Sequence, residues 1–286
     1  MLRDYGGAGR PVVVVPSLIN PPDVLDLLPE MSLLRWLATQ GVRPLLVDWG
    51  TPSPDERGLG IAGHVETLLL PLIEAAGRDA ALVGYCLGGT MALAAAAIRP
   101  PSSLTMIAAP WRFAGFPDEA RRGMIDLWRQ AESTVDAMGL LPVEVLQSAF
   151  WQLDPRRTVE KFVAFGRAAR DEATTRRFVA LEDWANDGAP LTPAAGQELA
   201  EAMFERDEAG KGIWEVAGRR IDPTALACPV FDIVSTTDRI VPAASAAGVG
   251  TRLTLAQGHV GMIVGGRARK SLWEPLAGWL TRHHNA

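Results

Sequence analysis

One stretch of the sequence, residues 80–98, restricts the possible folds more than any other part of the chain. Residues 80–83 are apolar and suit a buried strand, and residues 87–98 form an alanine-rich run that suits a buried helix. Between them lies Gly-Tyr-Cys-Leu-Gly-Gly, at 84–89. The whole stretch is long enough to cross a membrane, but its glycines favour a strand, a tight turn and a helix over a membrane span.

Strand and helix alternate through the rest of the N-terminal part. The sequence predicts buried strands at 11–16, 43–49, 79–85 and 103–109, and helices at 32–40, 61–76 and 87–98. The alternation stops at Pro110 and returns with strands at 229–235 and 251–255 and a closing helix at 268–282. This order predicts an α/β fold with a mostly parallel, doubly wound sheet.

The segment between the two α/β stretches is helical and irregular in its pattern. An insertion at this point lies above the carboxyl ends of the strands, where a lid belongs. We therefore predict a core made of residues 1–110 and 222–286 and a helical cap made of residues 111–221. Its aromatic residues either form a core of their own or line a site: Trp128, Phe150, Trp151, Phe162, Phe165, Phe178 and Trp184.

Charge and cysteine content exclude several classes of function. The formal net charge is −5, which gives no support to nucleic-acid binding. There are two cysteines, Cys86 and Cys228, too few for a disulfide scaffold or a four-cysteine zinc site, and we expect Cys228 to be a small buried hydrophobe. No histidine or carboxylate pair has zinc spacing, and no dinucleotide-binding glycine pattern follows the first strand, so we predict neither metal nor cofactor. The polar N-terminus has no signal-peptide pattern, which favours a cytoplasmic protein.

The turn at 84–88 has the pattern of a nucleophile elbow with cysteine in the position of serine. Glycines two residues before and after Cys86 let the strand and the helix pass close together. Cys86 then lies at a helix N-terminus, which favours a thiolate, and the N–H of Leu87 can bind an oxyanion. The alternative is a structural cysteine in a tight turn. The pattern, in its strand–turn–helix context, predicts an α/β-hydrolase fold.

A cysteine nucleophile needs a base, and the four histidines of the chain offer few choices. His283 and His284 lie in the C-terminal tail, and His64 lies in a helix well before the nucleophile. His259 follows the last predicted strand between two glycines. This position fits the order nucleophile, acid, histidine that is typical of the fold.

The acid of that order is expected just after the penultimate strand. Asp238 follows the 229–235 strand directly, whereas Asp232 lies inside that strand and Asp222 lies before it. We predict that Asp238 holds the tautomer of His259 and stabilises its charged form.

The loop after the first buried strand, residues 17–20, should supply a second oxyanion N–H. We assign this donor to Leu18. Asn20 is either a substrate-binding residue or a plain turn residue before Pro21.

Several motifs together resemble the polyhydroxyalkanoate synthase family. They are Gly-Tyr-Cys-Leu-Gly-Gly-Thr at 84–90, Pro-Ser-Leu-Ile-Asn at 16–20, Leu-Asp-Leu at 25–27, Arg-Trp-Leu at 35–37, Asp-Trp-Gly at 48–50, Trp184 with Asp187, Asp-Arg-Ile-Val-Pro at 238–242 and Gly-His-Val-Gly at 258–261. The resemblance runs from about residue 11 to 280. Two departures are Arg239, where the family has histidine, and a shorter sequence before the first strand.

The resemblance implies an acyltransferase that takes (R)-3-hydroxyacyl groups from coenzyme A. Cys86 would carry the acyl group, His259 would be its base, and Asp238 would activate the incoming hydroxyl. Trp184 would contact substrate. The resemblance also implies a homodimer or a partner synthase subunit, and a cytoplasmic or granule-associated location.

Two other functions stay open. A thioesterase or esterase on the same scaffold would differ only in admitting water to the acyl-enzyme. A catalytically inactive homologue would instead pair with an active synthase. A dienelactone hydrolase shares the elbow but lacks the segment at 18–41 and the insertion after Pro110.

Overall fold

The computed structural model describes the backbone of residues 1–153, 155–167 and 171–283, and the side chains of these residues except 149–158. His284 and the side chains of Phe150 and Trp151 therefore lie outside the described part.

A seven-stranded sheet forms the centre of the molecule, and its strand order is β1-β3-β2-β4-β5-β8-β9. The strands are β1 (Leu2–Asp4), β2 (Arg10–Val15), β3 (Val42–Val47), β4 (Ala81–Tyr85), β5 (Leu104–Ile107), β8 (Val230–Ser235) and β9 (Thr251–Leu255), and β6 (Glu215–Val216) and β7 (Arg219–Arg220) form a separate hairpin. Neighbours from β3 to β9 are parallel, as predicted. Strand β1 pairs antiparallel with β3 and was not predicted, because its sequence is polar.

Helices cover both faces of this sheet. They are α1 (Leu33–Ala38), α2 (Ile61–His64), α3 (Leu70–Ala76), α4 (Leu87–Ile98), α5 (Asp118–Met138), α6 (Val143–Leu153), α7 (Pro155–Arg167), α8 (Glu172–Ala185), α9 (Pro193–Gln197), α10 (Gly261–Val264) and α11 (Glu274–Arg282). Among the described residues, three π-helical segments join or extend them: Val65–Leu69, Glu198–Glu205 and Arg269–Trp273. The predicted helices at 61–76 and 87–98 are confirmed.

The side chains of the strands alternate between two hydrophobic cores. In β2, Val13 and Val15 face the core formed with α2, α3 and α4, whereas Val12 and Val14 face the core formed with α1, α10 and α11. Both faces of the sheet are therefore buried at β2, as expected for parallel strands that are apolar throughout. Helix α4 is buried on all sides over its first ten residues, so the turn before it is firmly held.

Helices α5–α9 and the β6–β7 hairpin lie between β5 and β8 in the chain, which confirms the helical character predicted for residues 111–221. Their division from the core as a separate cap stays a prediction. Several hydrogen bonds join the two parts. In one of them the Glu198 carboxylate accepts the Ala62 N–H at the start of α2 (3.2 Å), and the same carboxylate accepts Trp214 Nε1 (2.7 Å). Burial raises the pKa of Glu198. In the part of the chain that the structure describes, no helix is long and apolar enough to cross a membrane.

Candidate active site

Cys86 lies in the turn between β4 and α4, in a backbone conformation that side chains rarely adopt. Its φ is 55° and its ψ is −134°. Such a conformation costs about 1–3 kcal/mol and is kept only where the surroundings force it. Here the two flanking positions have room only for glycine, because backbone atoms pass close to both. A Cβ on Gly84 would lie 2.4 Å from the Gly89 Cα, and a Cβ on Gly88 would lie 2.2 Å from the Val15 carbonyl oxygen. The turn thus has the close approach of strand and helix that the glycine pattern predicts, and the role of Cys86 as a nucleophile stays a prediction.

His259 and Asp238, the predicted base and acid, lie next to each other. His259 Nδ1 lies 2.6 Å from Asp238 Oδ2, and both side chains are buried. Asp238 follows β8 and His259 follows β9, so adjacent parallel strands bring them together. The second oxygen of Asp238, Oδ1, accepts the backbone N–H groups of Ile240 (2.8 Å) and Val241 (3.0 Å). Both carboxylate oxygens are therefore occupied, and the carboxylate is held in one orientation.

The charge state of His259 connects it to Cys86. Burial opposes the charged imidazole, but the negative charge and hydrogen bond of Cys86 and the hydrogen bond and charge of Asp238 outweigh it. Together they raise the pKa of His259 to about 10. At neutral pH the ring is therefore an imidazolium, placed between the side chains of Cys86 and Asp238. Such a ring can return a proton to a leaving group.

Tyr85 is a contact of His259 that sequence reasoning missed. Its ring stacks on the His259 ring, with centroids 4.9 Å apart and an interplanar angle of 25°. Its hydroxyl donates a hydrogen bond to the His259 carbonyl oxygen at 3.2 Å. The available signal was the position of Tyr85 as the last residue of β4, directly before Cys86. The sequence cannot show which distant residue meets that side chain.

One predicted oxyanion donor, Leu87, lies in the elbow, and the other, Leu18, lies in a loop that packs on it. Leu87 is the first residue of α4. Leu18 is buried in the loop after β2, and this loop packs on the first turn of α4, because a Cβ on Gly88 would lie 2.4 Å from the Pro16 carbonyl oxygen. The next N–H along, that of Ile19, is engaged by Ser17 Oγ at 3.1 Å. This leaves Leu18 as the better candidate in the loop.

Trp184 contacts the residue that directly follows Asn20. The indole Nε1 of Trp184 donates to the Pro21 carbonyl oxygen at 2.8 Å, next to Asn20. Trp184 and Cys86 both pack at the margin of the core that includes Tyr85. Substrate contact by Trp184 and Asn20 stays a prediction.

Other candidates of the sequence analysis have structural roles. Asp232, which competed with Asp238, is buried and binds the Arg252 guanidinium at 2.6 Å. The expectation of a buried Cys228 is wrong, because this residue is partly exposed and lines a cavity of about 680 Å³ at the amino ends of β8 and β9, away from the elbow. Partial burial still raises the pKa of Cys228 to about 11.

Comparison with known proteins agrees with this geometry. The chain belongs to the alpha/beta hydrolase family, whose model matches residues 12–266. Among solved structures, MenH from S. aureus superposes with a TM-score of 0.61 at 14% identity, over 99% of both chains. This likeness concerns the fold alone. The predicted α/β-hydrolase fold is thereby confirmed.

Relatives found by sequence comparison point to a narrower group of proteins than the fold does. The chain is 27% identical over 290 residues to the poly(3-hydroxyalkanoate) polymerase subunit PhaC of Haloferax mediterranei, covering 94% of this chain and 58% of that protein. It is 28% identical over 289 residues to the subunit of the same name from Allochromatium vinosum, covering 94% and 80%. The resemblance predicted from the sequence is confirmed, and the chain is shorter than both relatives.

Proposed function

We propose that the chain is an acyltransferase of the polyhydroxyalkanoate synthase type, with Cys86 as the acyl carrier. The observation that carries this proposal is the position of His259 between two partners: it pairs with Asp238 at 2.6 Å, and the charge of Cys86 raises its pKa. The names of the curated relatives support the substrate class.

The first half-reaction loads the acyl group. The Cys86 thiolate attacks the thioester carbon of an (R)-3-hydroxyacyl-CoA, and the N–H groups of Leu87 and Leu18 stabilise the oxyanion. The carbon–sulfur bond to coenzyme A then breaks. The leaving thiolate takes the proton of the His259 imidazolium, so the products are free coenzyme A, acyl-Cys86 and neutral His259.

The second half-reaction passes the acyl group to a hydroxyl. Neutral His259 removes the proton of the hydroxyl as its oxygen attacks acyl-Cys86, an ester forms, and the Cys86 thiolate leaves. The contacts of Asp238 support an orienting role in this step, because His259, Ile240 and Val241 occupy both its oxygens. His259 therefore acts as the acid of the first half-reaction and as the base of the second.

The choice of cysteine supports transfer to an alcohol over simple ester cleavage. A thioester exchanged for a thioester stays activated, whereas a serine would lower that activation by forming an oxygen ester at once. With this activity we expect a cytoplasmic or granule-associated protein that works as a homodimer or with a partner subunit, as the word subunit in the names of the relatives suggests.

The test is incubation with (R)-3-hydroxybutyryl-CoA, followed by quantification of free coenzyme A, free acid and ester products by chromatography and mass spectrometry. Polymer or ester product supports the synthase. Free 3-hydroxybutyrate alone would identify a thioesterase. Cys86→Ala should abolish release of coenzyme A, and Cys228→Ala, which changes the cysteine away from the elbow, should not.

If the wild type releases no coenzyme A and carries no acyl group on Cys86 by mass spectrometry, both enzymatic functions fail for this substrate. The remaining explanation is then the inactive homologue. Co-purification with an active synthase, with unchanged activity of the complex in Cys86→Ala, would support that case.

A further inference from the structure

Three neighbouring strands place three turns side by side at the carboxyl edge of the sheet. Strand β2 pairs with β3 on one side and with β4 on the other. Trp49 follows β3, the loop with Pro16 and Leu18 follows β2, and Cys86 follows β4. The loop that carries the proposed second oxyanion donor is therefore held between Trp49 and the elbow.

Trp49 binds this loop directly. Its indole Nε1 donates a hydrogen bond to the Pro16 carbonyl oxygen at 3.2 Å. The same oxygen lies against the first turn of α4, where a Cβ on Gly88 would come within 2.4 Å of it. The Pro16 carbonyl is thus fixed from two sides, by an indole donor and by the helix that begins after Cys86.

The indole is itself held in place. His64 meets Trp49 edge to face, with ring centroids 6.1 Å apart and an interplanar angle of 80°. His64 is buried, and its Nδ1 lies 2.7 Å from the Gly60 carbonyl oxygen. Burial lowers the pKa of His64, so the ring that packs on Trp49 is neutral at neutral pH. Trp49 also packs against the core on the α2 side of the sheet.

We propose that Trp49 is a positioning residue, which orients the loop so that the Leu18 N–H faces the oxyanion. The Pro16 carbonyl belongs to the peptide unit directly before the one that carries the Leu18 N–H, so fixing the first restricts the second. Oxyanion stabilisation depends on donors that are already oriented before charge develops. This inference rests on the proposed function, which makes Cys86 a nucleophile and Leu18 an oxyanion donor.

Two reactions of Cys86 separate this role from mere support of the fold. In acylation by 4-nitrophenyl acetate, the thiolate attacks the carbonyl carbon, an oxyanion forms and 4-nitrophenolate leaves. In alkylation by iodoacetamide, the thiolate displaces iodide and no oxyanion forms. Trp49→Phe keeps an aromatic ring and removes the indole donor. We expect acylation to slow by about tenfold or more, with alkylation unchanged.

Trp36→Phe is the matched control. Its indole Nε1 is buried and has no hydrogen-bond partner among the residues that the structure describes, so its loss should leave both rates unchanged. If Trp49→Phe does not fold by circular dichroism, Trp49→Met, whose flexible side chain has no N–H or O–H donor, makes the same test. The slower acylation of either variant should also appear as a lower kcat for the acyl-CoA, with KM little changed.

Equal losses in acylation and alkylation would mean that Trp49 supports only the elbow or the fold, and no loss in either would mean that it has no role. Both results overturn the inference. A wild-type protein whose Cys86 reacts with neither reagent would show a different failure, that of the nucleophile and hence of the proposed function.

Discussion

The ring of Tyr85 stacks on the imidazole of His259, and the Tyr85 hydroxyl donates to the His259 carbonyl oxygen at 3.2 Å. Because Tyr85 directly precedes Cys86, one strand end holds both the proposed nucleophile and the loop of its base. Burial, together with the charges of Cys86 and Asp238, raises the pKa of Tyr85 well above its usual value, so its hydroxyl remains a donor.

We expect Tyr85→Phe and Tyr85→Leu to have graded effects. Tyr85→Phe leaves the buried His259 carbonyl without this donor, which should lower the free energy of unfolding by about 1–3 kcal/mol. Tyr85→Leu also removes the stacking, so His259 can shift, and acylation should slow by about tenfold to a hundredfold. Acylation rates and urea unfolding measure the two effects.

Tyr5→Phe is the control for these variants, because Tyr5 is the other tyrosine of the chain and interacts with Asp26 instead of the site. Acylation by Tyr5→Phe should match the wild type. A Tyr85→Leu variant with wild-type acylation would contradict the supporting role of the stacked ring.

Asp238→Asn should damage activity far more than stability. The amide can still accept the N–H groups of Ile240 and Val241, but it offers His259 Nδ1 a donor in place of an acceptor. His259 then presents Nε2–H toward Cys86 and cannot act as a base, so kcat/KM should fall by about 10³- to 10⁴-fold.

Asp232→Asn is the informative comparison, because Asp232 is also a buried carboxylate but lies within β8, six residues before Asp238. It pairs with Arg252, so its replacement should lower the melting temperature and leave kcat/KM within a few-fold of the wild type. Comparable losses of kcat/KM in both variants would remove the distinction between Asp238 and Asp232.

The sequence was sufficient for those features that depend on local pattern and chain order. The glycines around Cys86 predict the elbow, because in that turn a Cβ at either position would overlap backbone atoms. In the structure a Cβ on Gly88 would indeed overlap the Val15 carbonyl oxygen. The pairing of Asp238 with His259 followed from order alone, since both come after neighbouring parallel strands.

Features that depend on contacts between distant residues could not be predicted in this way. Tyr85 meets a residue 174 positions away, and Trp49 meets a carbonyl 33 positions away, and neither distance leaves a pattern in one sequence. Strand β1 was missed for another reason. It is a three-residue edge strand with exposed Arg3 and Asp4, so it lacks the apolar run that marks the inner strands.

Gly88→Ala should destabilise the fold. A Cβ at Gly88 would lie 2.2 Å from the Val15 carbonyl oxygen and 2.4 Å from that of Pro16, and backbone at the sheet edge cannot move away cheaply. Overpacking of this kind costs about 1–3 kcal/mol, and it should also slow acylation because the same loop carries Leu18. Thermal unfolding and the acylation rate measure both.

Gly123→Ala is the matched control for Gly88→Ala. Gly123 lies on the exposed face of α5 with nothing within 4 Å of a Cβ, so alanine should raise stability by about 0.5–1 kcal/mol. If Gly88→Ala were as stable as the wild type, the close approach of α4 to the Pro16 loop would be wrong.

The charge of His259 should depend on Cys86, and NMR can measure this dependence. Burial lowers the pKa of His259, but Cys86 and Asp238 together raise it to about 10. The imidazolium should therefore persist as the pH rises through 6.5, where a free histidine loses its proton, and should disappear only near pH 10. In Cys86→Ala the contributions of the thiolate are gone while burial remains, so the pKa of His259 should fall.

The measurement follows the imidazole ring signals between pH 5 and 10.5, roughly the range that spans the free and raised pKa values. Comparison with His259→Gln assigns the signal of His259 among the four histidines. Cys228→Ala, which leaves the elbow intact, should titrate like the wild type at this ring. A signal of His259 with the same midpoint in wild type and Cys86→Ala would show that no thiolate faces the ring, and would remove the ion pair on which the loading step depends.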